Sequence, residues 1–330
     1  MEKFLNGKCC CVQKNLWEIL VVENVVKAQI SKDYSNDRLP VVGDNVTLHI
    51  DDYNNYLIDN VHNLKNELFR ISKGEKQVFA SNIDIVFVVS SMNNEFNIGK
   101  LERFMIIGDI PNAKRVIILT KKDLCDSPSL FIEVVKARFP NTEIITTNAI
   151  NNDGIDQIKK VWNSGESAIF IGSSGVGKST LVNALINKAI MKTGTIREND
   201  DKGRHTTTTR NLFNLPDGRI MIDTPGVRSV GVSIEENQDG IQEVFKNIIE
   251  IEKQCKYTNC THKNPNGCAV LKAISDGVID ETEYNRYLKF KKKETSRRAI
   301  QQIDNDLPKW KKIQSTKDRK KQSSRKNQIV

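Results

Sequence analysis

The residues of this chain with the clearest chemical potential lie between positions 172 and 180, which read Gly-Ser-Ser-Gly-Val-Gly-Lys-Ser-Thr. This is the G-x-x-x-x-G-K-S pattern of a phosphate-binding loop. The glycines let backbone N–H groups surround phosphate oxygens, the lysine can contact the β- and γ-phosphates, and the serine hydroxyl can bind Mg²⁺. We predict a nucleotide site formed by Gly172, Ser173, Ser174, Gly175, Val176, Gly177, Lys178, Ser179 and Thr180, with Lys178 also acting in catalysis.

A strand and a helix must hold that loop. The apolar run that ends at Ile171 predicts a buried parallel strand before it. After it, Leu181, Val182, Leu185 and Ile186 have helical spacing. Strand, glycine-rich turn and helix N-terminus are the context that the motif requires. A turn without a ligand is the alternative, and such a turn would not need these flanking elements.

A second segment can read a guanine base. Thr120-Lys-Lys-Asp123 follows an apolar strand, at the edge where ligands of open α/β sheets bind. The Asp123 carboxylate can accept hydrogen bonds from the two donors of guanine, and Lys121 can cover the base. Such motifs usually begin with Asn, so Thr120 is expected to cost one orienting hydrogen bond. Alternatively, Asp123 simply caps a helix. The predicted base-site residues are Thr120, Lys121, Lys122 and Asp123, with Asn148 and Ala149 after the next strand.

Two further segments can respond to the γ-phosphate. Asp223-Thr-Pro-Gly226 follows a strand and fits a D-x-x-G switch, in which Asp223 acts on Mg²⁺ through water and the Gly226 amide senses the γ-phosphate. Val227 occupies the place where related enzymes carry a water-orienting glutamine. Slow intrinsic hydrolysis is therefore expected. The second Mg²⁺ ligand is expected to be Thr207 or Thr208, and His205 is a candidate catalytic group or a surface histidine without a role.

The order of these segments is rotated. The base motif lies about fifty positions before the phosphate loop, whereas an ordinary GTPase carries it near its end. The parts are those of a GTPase, and their order predicts a circularly permuted domain.

A third group of residues predicts a metal site. Cys255, Cys260, His262 and Cys268 lie within fourteen residues that also contain several turn formers. Three thiolates and one imidazole form a closed tetrahedral set for one structural Zn²⁺. Disulfides and reduced core cysteines are the alternatives. The remaining cysteines, Cys9 to Cys11 and Cys125, are expected to be inert thiols.

Charge and patterning describe the rest of the chain. Its net charge is +9, and residues 289–330 carry fifteen Lys and Arg against four Asp and Glu. That tail predicts RNA contacts, or alternatively a solvated tail. Short β-rich segments before residue 75 predict an OB-like barrel, a fold that commonly binds nucleic acid. Lys73–Lys76 is the expected linker. No apolar run approaches the roughly 20 residues of a membrane helix, and no leader is evident, so we expect a cytoplasmic monomer without membrane contact.

These segments resemble one known family along nearly the whole chain, the circularly permuted, ribosome small-subunit-dependent GTPases of bacteria called RsgA or YjeQ. The matching segments are Val42–Asp44, Asn82–Phe87, Thr120–Leu124, Gly172–Thr180, Gly203–Thr208, Asp223–Gly226 and Cys255–Cys268. The departures are Thr120 in place of Asn, Thr209 in place of a basic residue, and a tail beyond Arg298 that matches least.

The resemblance implies a multidomain α/β protein with four parts: an OB-fold barrel (1–75), a circularly permuted P-loop GTPase domain (76–232), a helical zinc-binding subdomain (233–300) and a basic tail (301–330). It also implies binding to the 30S subunit and its 16S rRNA late in maturation, with subunit-stimulated hydrolysis of GTP to GDP coupled to release. By the same resemblance, His205 stands at a position proposed for a catalytic histidine.

Three hypotheses follow from the sequence. The first is a GTPase activated by the small ribosomal subunit. The second is a GTP-gated rRNA-binding factor with negligible hydrolysis, because Val227 replaces the catalytic group. The third is a P-loop ATPase or kinase in which the Thr-Lys-Lys-Asp segment is a coincidence.

Overall fold

A computed structural model of the chain describes residues 4–13, 15–22, 24–72, 75–186, 210–223, 238–264 and 266–291. It divides into two compact units, Met1–Val244 and Phe245–Val330. His205, Thr207, Thr208, Gly226, Val227 and the basic tail after residue 291 lie outside the described residues. Among the helices that are described, none has both the length and the apolarity needed to cross a membrane.

Five strands at the start of the first unit form a closed barrel, as predicted. They are β1 (Leu5–Gln13), β2 (Leu16–Val21), β3 (Asn24–Ile30), β4 (Asn45–Ile50) and β5 (Tyr56–His62). They pair in the order β1-β2-β3-β5-β4, and β4 pairs with β1 to close the barrel. This is the strand order of an OB fold. Trp17, Ile19, Leu48 and Ile58 fill its interior, because alternate residues of each strand point inward.

The adjacent cysteines of β1 are structural. Cys9, Cys10 and Cys11 are buried and unbonded, as expected from their place in a strand. Burial raises the pKa of Cys10 to about 11. The thiol of Cys10 is therefore protonated at neutral pH and is not a reactive group.

The expected linker at Lys73–Lys76 overlaps a strand. Two antiparallel strands, β6 (Glu67–Ser72) and β7 (Glu75–Ser81), pair across this point, with Ser72 opposite Glu75. Lys76 therefore belongs to a strand. The two strands pair on either side of residues 73 and 74, so residue types typical of a linker also occur between paired strands.

The rest of the first unit is a mainly parallel sheet flanked by helices. Its strands, in the spatial order β10-β9-β8-β11-β13-β12, are β8 (Ile85–Ser91), β9 (Lys114–Thr120), β10 (Glu143–Thr146), β11 (Ser167–Ile171), β12 (Arg210–Asn214) and β13 (Ile220–Asp223). Only β12 runs antiparallel to its neighbour in this group, and it also pairs with β1 of the barrel. The barrel and the parallel sheet therefore share one continuous ladder of hydrogen bonds.

The described helices of the first unit flank this sheet, and apolar residues from helices and sheet form a shared core. These helices are α1 (Ile98–Ile107), α2 (Pro128–Arg138), α3 (Ile155–Val161), α4 (Lys178–Ile186) and α5 (Gln238–Val244). Phe87, Trp162 and Phe170 form an aromatic cluster, with Phe87 and Phe170 stacked at 4.8 Å between ring centroids. Leu181, Val182, Leu185 and Ile186 of α4 are buried, as their spacing predicted.

The second unit is helical. It contains α6 (Lys246–Glu252) and α7 (Ala269–Ser275), and residues 281–291 are also helical. The Cys/His segment lies between α6 and α7.

A buried carboxylate ties the barrel to the β6–β7 hairpin. Asp44 has no exposed surface, and it accepts a bidentate pair of hydrogen bonds from Arg38 at 2.6 and 2.8 Å. It also accepts from the Ser81 hydroxyl at 2.6 Å and from the backbone N–H of Val41 at 2.7 Å. Arg38 in turn donates to Glu67 of β6 at 2.7 Å. Asp44 therefore joins three separate segments.

We predict that Asp44→Ala lowers the free energy of unfolding by about 3 kcal/mol, because breaking a buried ion pair leaves its donors without an acceptor. Urea unfolding followed by tryptophan fluorescence measures the change. Asp52→Ala, at an exposed position in the same barrel, should change stability by less than about 0.5 kcal/mol. Equal stability of the two variants would contradict the role given to Asp44.

Candidate nucleotide site and metal cluster

The phosphate loop lies where the sequence placed it, between β11 and α4. Gly172 has φ +155°, and a Cβ there would come within 2.2 Å of the carbonyl oxygen of Val89 on β8. Gly175 and Gly177 have φ +80° and +92°, in the left-handed region that favours glycine. A close backbone contact or a positive φ therefore favours glycine at these three positions of the motif.

Lys178 is held by the loop itself. Its side chain is 8% exposed, and its Nζ donates to the carbonyl oxygens of Gly172, at 2.7 Å, and Ser173. Because the first turn of α4 begins at Lys178, Ser179 and Thr180 follow at the helix N-terminus. Unpaired N–H groups and the helix dipole favour an anion at such a terminus.

The base motif contacts the phosphate loop directly. Thr120 ends β9 and is 3% exposed, and its hydroxyl donates to the carbonyl oxygen of Val176. The Ser90 carbonyl oxygen, at 3.2 Å, is a second acceptor within reach. Thr120 thus makes an orienting hydrogen bond to the phosphate loop in the place of the usual Asn. The two segments, 56 residues apart, meet because β9, β8 and β11 are neighbours and end at the same edge.

Asp123 lies in a single 3₁₀ turn, Lys122–Leu124. The next helix, α2, begins at Pro128 with Ser127 as its N-cap residue. Asp123 is therefore not the cap of that helix, which removes the structural alternative considered for the motif. Lys121 has φ +60°, so the chain bends sharply between Thr120 and Asp123.

The loop after β10 is tied to this motif. Asn148 and Asp153 exchange two backbone hydrogen bonds of 3.0 Å, which close a tight loop that includes Ala149. Lys122 pairs with Asp153 at 2.8 Å, and its backbone N–H donates to the carbonyl oxygen of Thr147. The six predicted base-site residues are thus brought together at one edge of the sheet.

Thr147 was missed by the sequence analysis. It is fully buried, and among the described residues its hydroxyl has no hydrogen-bond partner. Thr146 pairs with Leu119, so Thr147 follows in register beside Thr120. No sequence signal separates it from an ordinary threonine at a strand end, because only the pairing of β10 with β9 places it beside Thr120.

Asp223 ends β13, which pairs in parallel with β11 through Ile222 and Ile169. Its backbone therefore reaches the edge at which the phosphate loop begins. The other predicted switch residues, His205, Thr207, Thr208 and Gly226, lie outside the described residues.

The Cys/His segment of the second unit forms a compact cluster that can hold a metal ion. One ligand atom from each of Cys255, Cys260, His262 and Cys268 lies within 4.8 Å of all the others. His262 Nδ1 is 3.7 Å from Cys255 Sγ and 3.4 Å from Cys268 Sγ. Tetrahedral Zn²⁺ with the usual Zn–S and Zn–N lengths separates such atoms by about 3.6 Å. The donor set and its spacing therefore fit zinc.

Backbone donors surround the thiols. Burial opposes ionisation of Cys255, but the N–H groups of Val270 and Ala269 outweigh it and lower the pKa of this thiol. Burial raises the pKa of Cys268, although its sulfur accepts from the N–H of Leu271 at 3.4 Å. Cys268 is also the N-cap residue of α7, so the last residue of the cluster lies directly before the helix.

The fold and the loops at the candidate nucleotide site define a circularly permuted P-loop GTPase. A family model described as RsgA GTPase matches residues 61–233, and one described as 50S ribosome-binding GTPase matches residues 167–314. The small ribosomal subunit biogenesis GTPase RsgA of Methanosarcina acetivorans is 37% identical over 290 residues, covering 86% of this chain and 78% of the relative. The chain belongs to the RsgA GTPase family of GTP-hydrolysing enzymes.

Solved structures agree on the fold. The crystal structure of YjeQ from Thermotoga maritima matches with a TM-score of 0.64 and 23% identity, covering 89% of this chain and 99% of that one. YloQ, described as a circularly permuted GTPase, matches with a TM-score of 0.62 and 21% identity, covering 89% of this chain and 96% of that one.

We predict that Thr120→Val weakens guanine-nucleotide binding about fivefold, because losing one hydrogen bond that holds the base motif against the phosphate loop costs about 1 kcal/mol. Titration with a fluorescent GDP analogue measures the affinity. Thr142→Val, a matched change just before β10, serves as control. An unchanged affinity in the Thr120 variant would show that the contact does not support binding.

Proposed function

We propose that the chain binds the small (30S) ribosomal subunit late in its maturation and hydrolyses GTP there, with hydrolysis coupled to release. The observation that carries the nucleotide part is the hydrogen bond from Thr120 to Val176, which joins a guanine-type motif to a phosphate loop. The partner rests on the relatives, which are named small ribosomal subunit biogenesis GTPases. One matched family model carries a 50S name, but it covers less of the chain than the RsgA GTPase model.

The described loops support a division of roles at the nucleotide. Lys178 would neutralise charge on the β- and γ-phosphates, and the N–H groups of residues 172–177 would surround them. The Asp123 carboxylate would accept from guanine, Lys121 would cover the base, and the amides of Asn148 and Ala149 would contact the guanine oxygen.

The Ser179 hydroxyl and the Asp223 carboxylate would supply hard oxygen ligands of the kind that Mg²⁺ prefers, since Ser179 lies in the first turn of α4 and Asp223 ends β13. Bound there with GTP, Mg²⁺ would neutralise charge that develops on the phosphates. Thr207 or Thr208 would complete the protein's contribution, and the Gly226 amide would sense the γ-phosphate.

Hydrolysis by the free protein should be slow. Val227 cannot orient a water molecule, and His205 is the candidate catalytic residue in the threonine-rich segment. Docking on rRNA would then place His205 or an rRNA group beside the attacking water. This step distinguishes the proposal from its alternative, a GTP-gated rRNA-binding factor with negligible hydrolysis.

The Cys/His cluster is proposed to hold one structural Zn²⁺. Four protein ligands leave no position for water, so the metal would stabilise the loop between α6 and α7 instead of taking part in hydrolysis. The OB-fold barrel (1–75), the GTPase domain (76–232), the zinc-binding subdomain (233–300) and the basic tail (301–330) are our proposed domains. We propose that barrel, zinc loop and tail contact 16S rRNA in the cytoplasm, with the protein acting as a monomer.

Asp123→Asn should weaken GTP binding and shift preference toward xanthosine nucleotides, because an amide presents a donor where guanine also presents donors. Competition titrations with GTP, XTP and ATP measure the change, with Asp126→Asn in the same loop as control. Unchanged GTP affinity would overturn the base-reading role, and preference for ATP in the unmodified protein would favour the kinase or ATPase hypothesis.

Small ribosomal subunits should raise GTP turnover on the order of 100-fold, the size of a general-base contribution. His205→Ala should remove most of that stimulation and leave GTP affinity nearly intact, because the side chain would act only in the transition state. Turnover is measured as phosphate release, with large subunits as the control. Full stimulation of the His205 variant would assign the catalytic group to the ribosome, and no stimulation of the unmodified protein would favour the GTP-gated binder.

Freshly purified protein should contain about one zinc per chain, and Cys260→Ser or chelation should unfold the segment around residues 255–268 because metal-binding energy is folding energy there. Elemental analysis and hydrogen exchange provide the measurements. Cys125→Ser, at a cysteine outside the cluster, should retain the metal. A zinc content far below one per chain would remove the proposed site.

A further inference from the structure

One acidic residue of the second unit contacts the metal cluster without belonging to it. Glu252 is the last residue of α6, and its Oε1 lies 3.1 Å from Nε2 of His262. The opposite ring nitrogen, Nδ1, faces the sulfurs of Cys255 and Cys268. The two nitrogens of this imidazole therefore have different partners, a carboxylate on one side and the thiol group on the other.

That arrangement decides which nitrogen can serve a metal. A neutral imidazole carries one proton, and the nitrogen that bears it donates a hydrogen bond while the other presents a lone pair. A carboxylate beside Nε2 favours the proton there, so Nδ1 keeps its lone pair and points at the sulfurs. Carboxylates commonly fix metal-binding histidines in this way.

Glu252 is itself held in place by the helix over residues 281–291. Its Oε2 accepts from the Tyr287 hydroxyl at 2.8 Å, and Lys291 Nζ lies 2.9 Å from both carboxylate oxygens. These residues share one face of that helix with Tyr284, because they are three or four positions apart along it. The ring of Tyr284 meets the His262 ring edge-on, at 6.3 Å between centroids.

Packing also makes the position of Glu252 rigid. Only 14% of its side chain and 8% of the His262 side chain are exposed. His262 has φ +54°, a conformation unusual for a residue with a side chain, so its loop is held by more than local preference. Glu252 therefore joins α6, the Cys/His loop and the last described helix through one carboxylate.

We propose that Glu252 is the positioning residue of the metal site: it holds the proton of His262 on Nε2 and presents Nδ1 as the ligand. The inference rests on the proposed zinc site and goes beyond it, since it assigns the ligating nitrogen and the residue that selects it. Tyr287 and Lys291 support Glu252 through their hydrogen bonds to its carboxylate. The orientation of the His262 ring thus depends on a helix outside the Cys/His loop.

The test uses the full chain and zinc ion in competition with a chromophoric chelator. Glu252→Leu should weaken zinc binding about 10- to 100-fold, the range seen when partners of metal ligands are removed. Glu252→Gln keeps an oxygen that can accept from Nε2, so it should lie between Leu and the unmodified protein. Tyr287→Phe should weaken binding only a few-fold, in the same direction.

Glu250→Leu is the matched control. It lies on the same helix and pairs with Lys253 at 2.7 Å on the exposed surface. Its zinc affinity should equal that of the unmodified protein, and guanine-nucleotide affinity should be unchanged in every variant. A Glu250 variant as weak as the Glu252 variant would overturn the proposal, because the effect would then follow from damage to α6.

Nitrogen NMR of ¹⁵N-histidine-labelled, zinc-bound protein provides a readout that a merely structural residue would not move. His262 should carry its proton on Nε2 and bind through Nδ1 in the unmodified protein, and the resonance should shift or split in Glu252→Leu. Binding through Nε2, or zinc affinity of Glu252→Leu within about twofold of the unmodified protein, would overturn the proposal. An unmodified protein that binds no zinc would instead remove the metal site itself.

Discussion

The candidate nucleotide site lies at the sheet edge where β8, β9 and β11 end, and it depends on the parallel pairing of β8 with β11. That pairing joins the half of the chain that carries the base motif to the half that carries the phosphate loop, with Ile85–Val88 in register with Ala168–Ile171. Gly172 follows so closely against Val89 that no side chain fits. In a permuted sequence no short connection brings the two motifs together, so strand pairing must do so. The Thr120–Val176 hydrogen bond is a consequence of that register.

Much of this fold could be predicted because strong local signals agreed with it. The closed barrel, the strand before the phosphate loop and the buried face of α4 all follow from periodicity and turn residues. The sequence did not predict the hairpins in which few residues separate the paired strands. β2 and β3 form a hairpin with Val22 at φ +58°, a conformation that a branched residue rarely adopts, so the residue type does not mark the bend. Lys73–Lys76 looked like a linker because hairpins and domain boundaries share the same residue types, yet β6 and β7 pair on either side of residues 73 and 74.

The residues of the site also differ in how far the sequence could predict them. Motif residues such as Lys178 and Cys255 could be predicted because their chemistry requires fixed spacing in the chain. Glu252 could not, since its contacts depend on which elements lie beside it. It contacts His262 and a helix that begins about thirty residues later. Sequence spacing thus predicts atoms that touch the ligand better than it predicts the groups that orient those atoms.

The pairing of β1 with β12 affects how readily a strand of another chain could add to the sheet. An unpaired strand edge offers a template to another chain. Within the described part of the protein, the barrel closes on itself and also covers β12, so the long ladder is open only at β10. That strand has four residues, too few for much strand addition. The described part of the chain thereby offers little unpaired backbone to another chain, so its tendency to aggregate should depend on side chains and not on β-sheet growth.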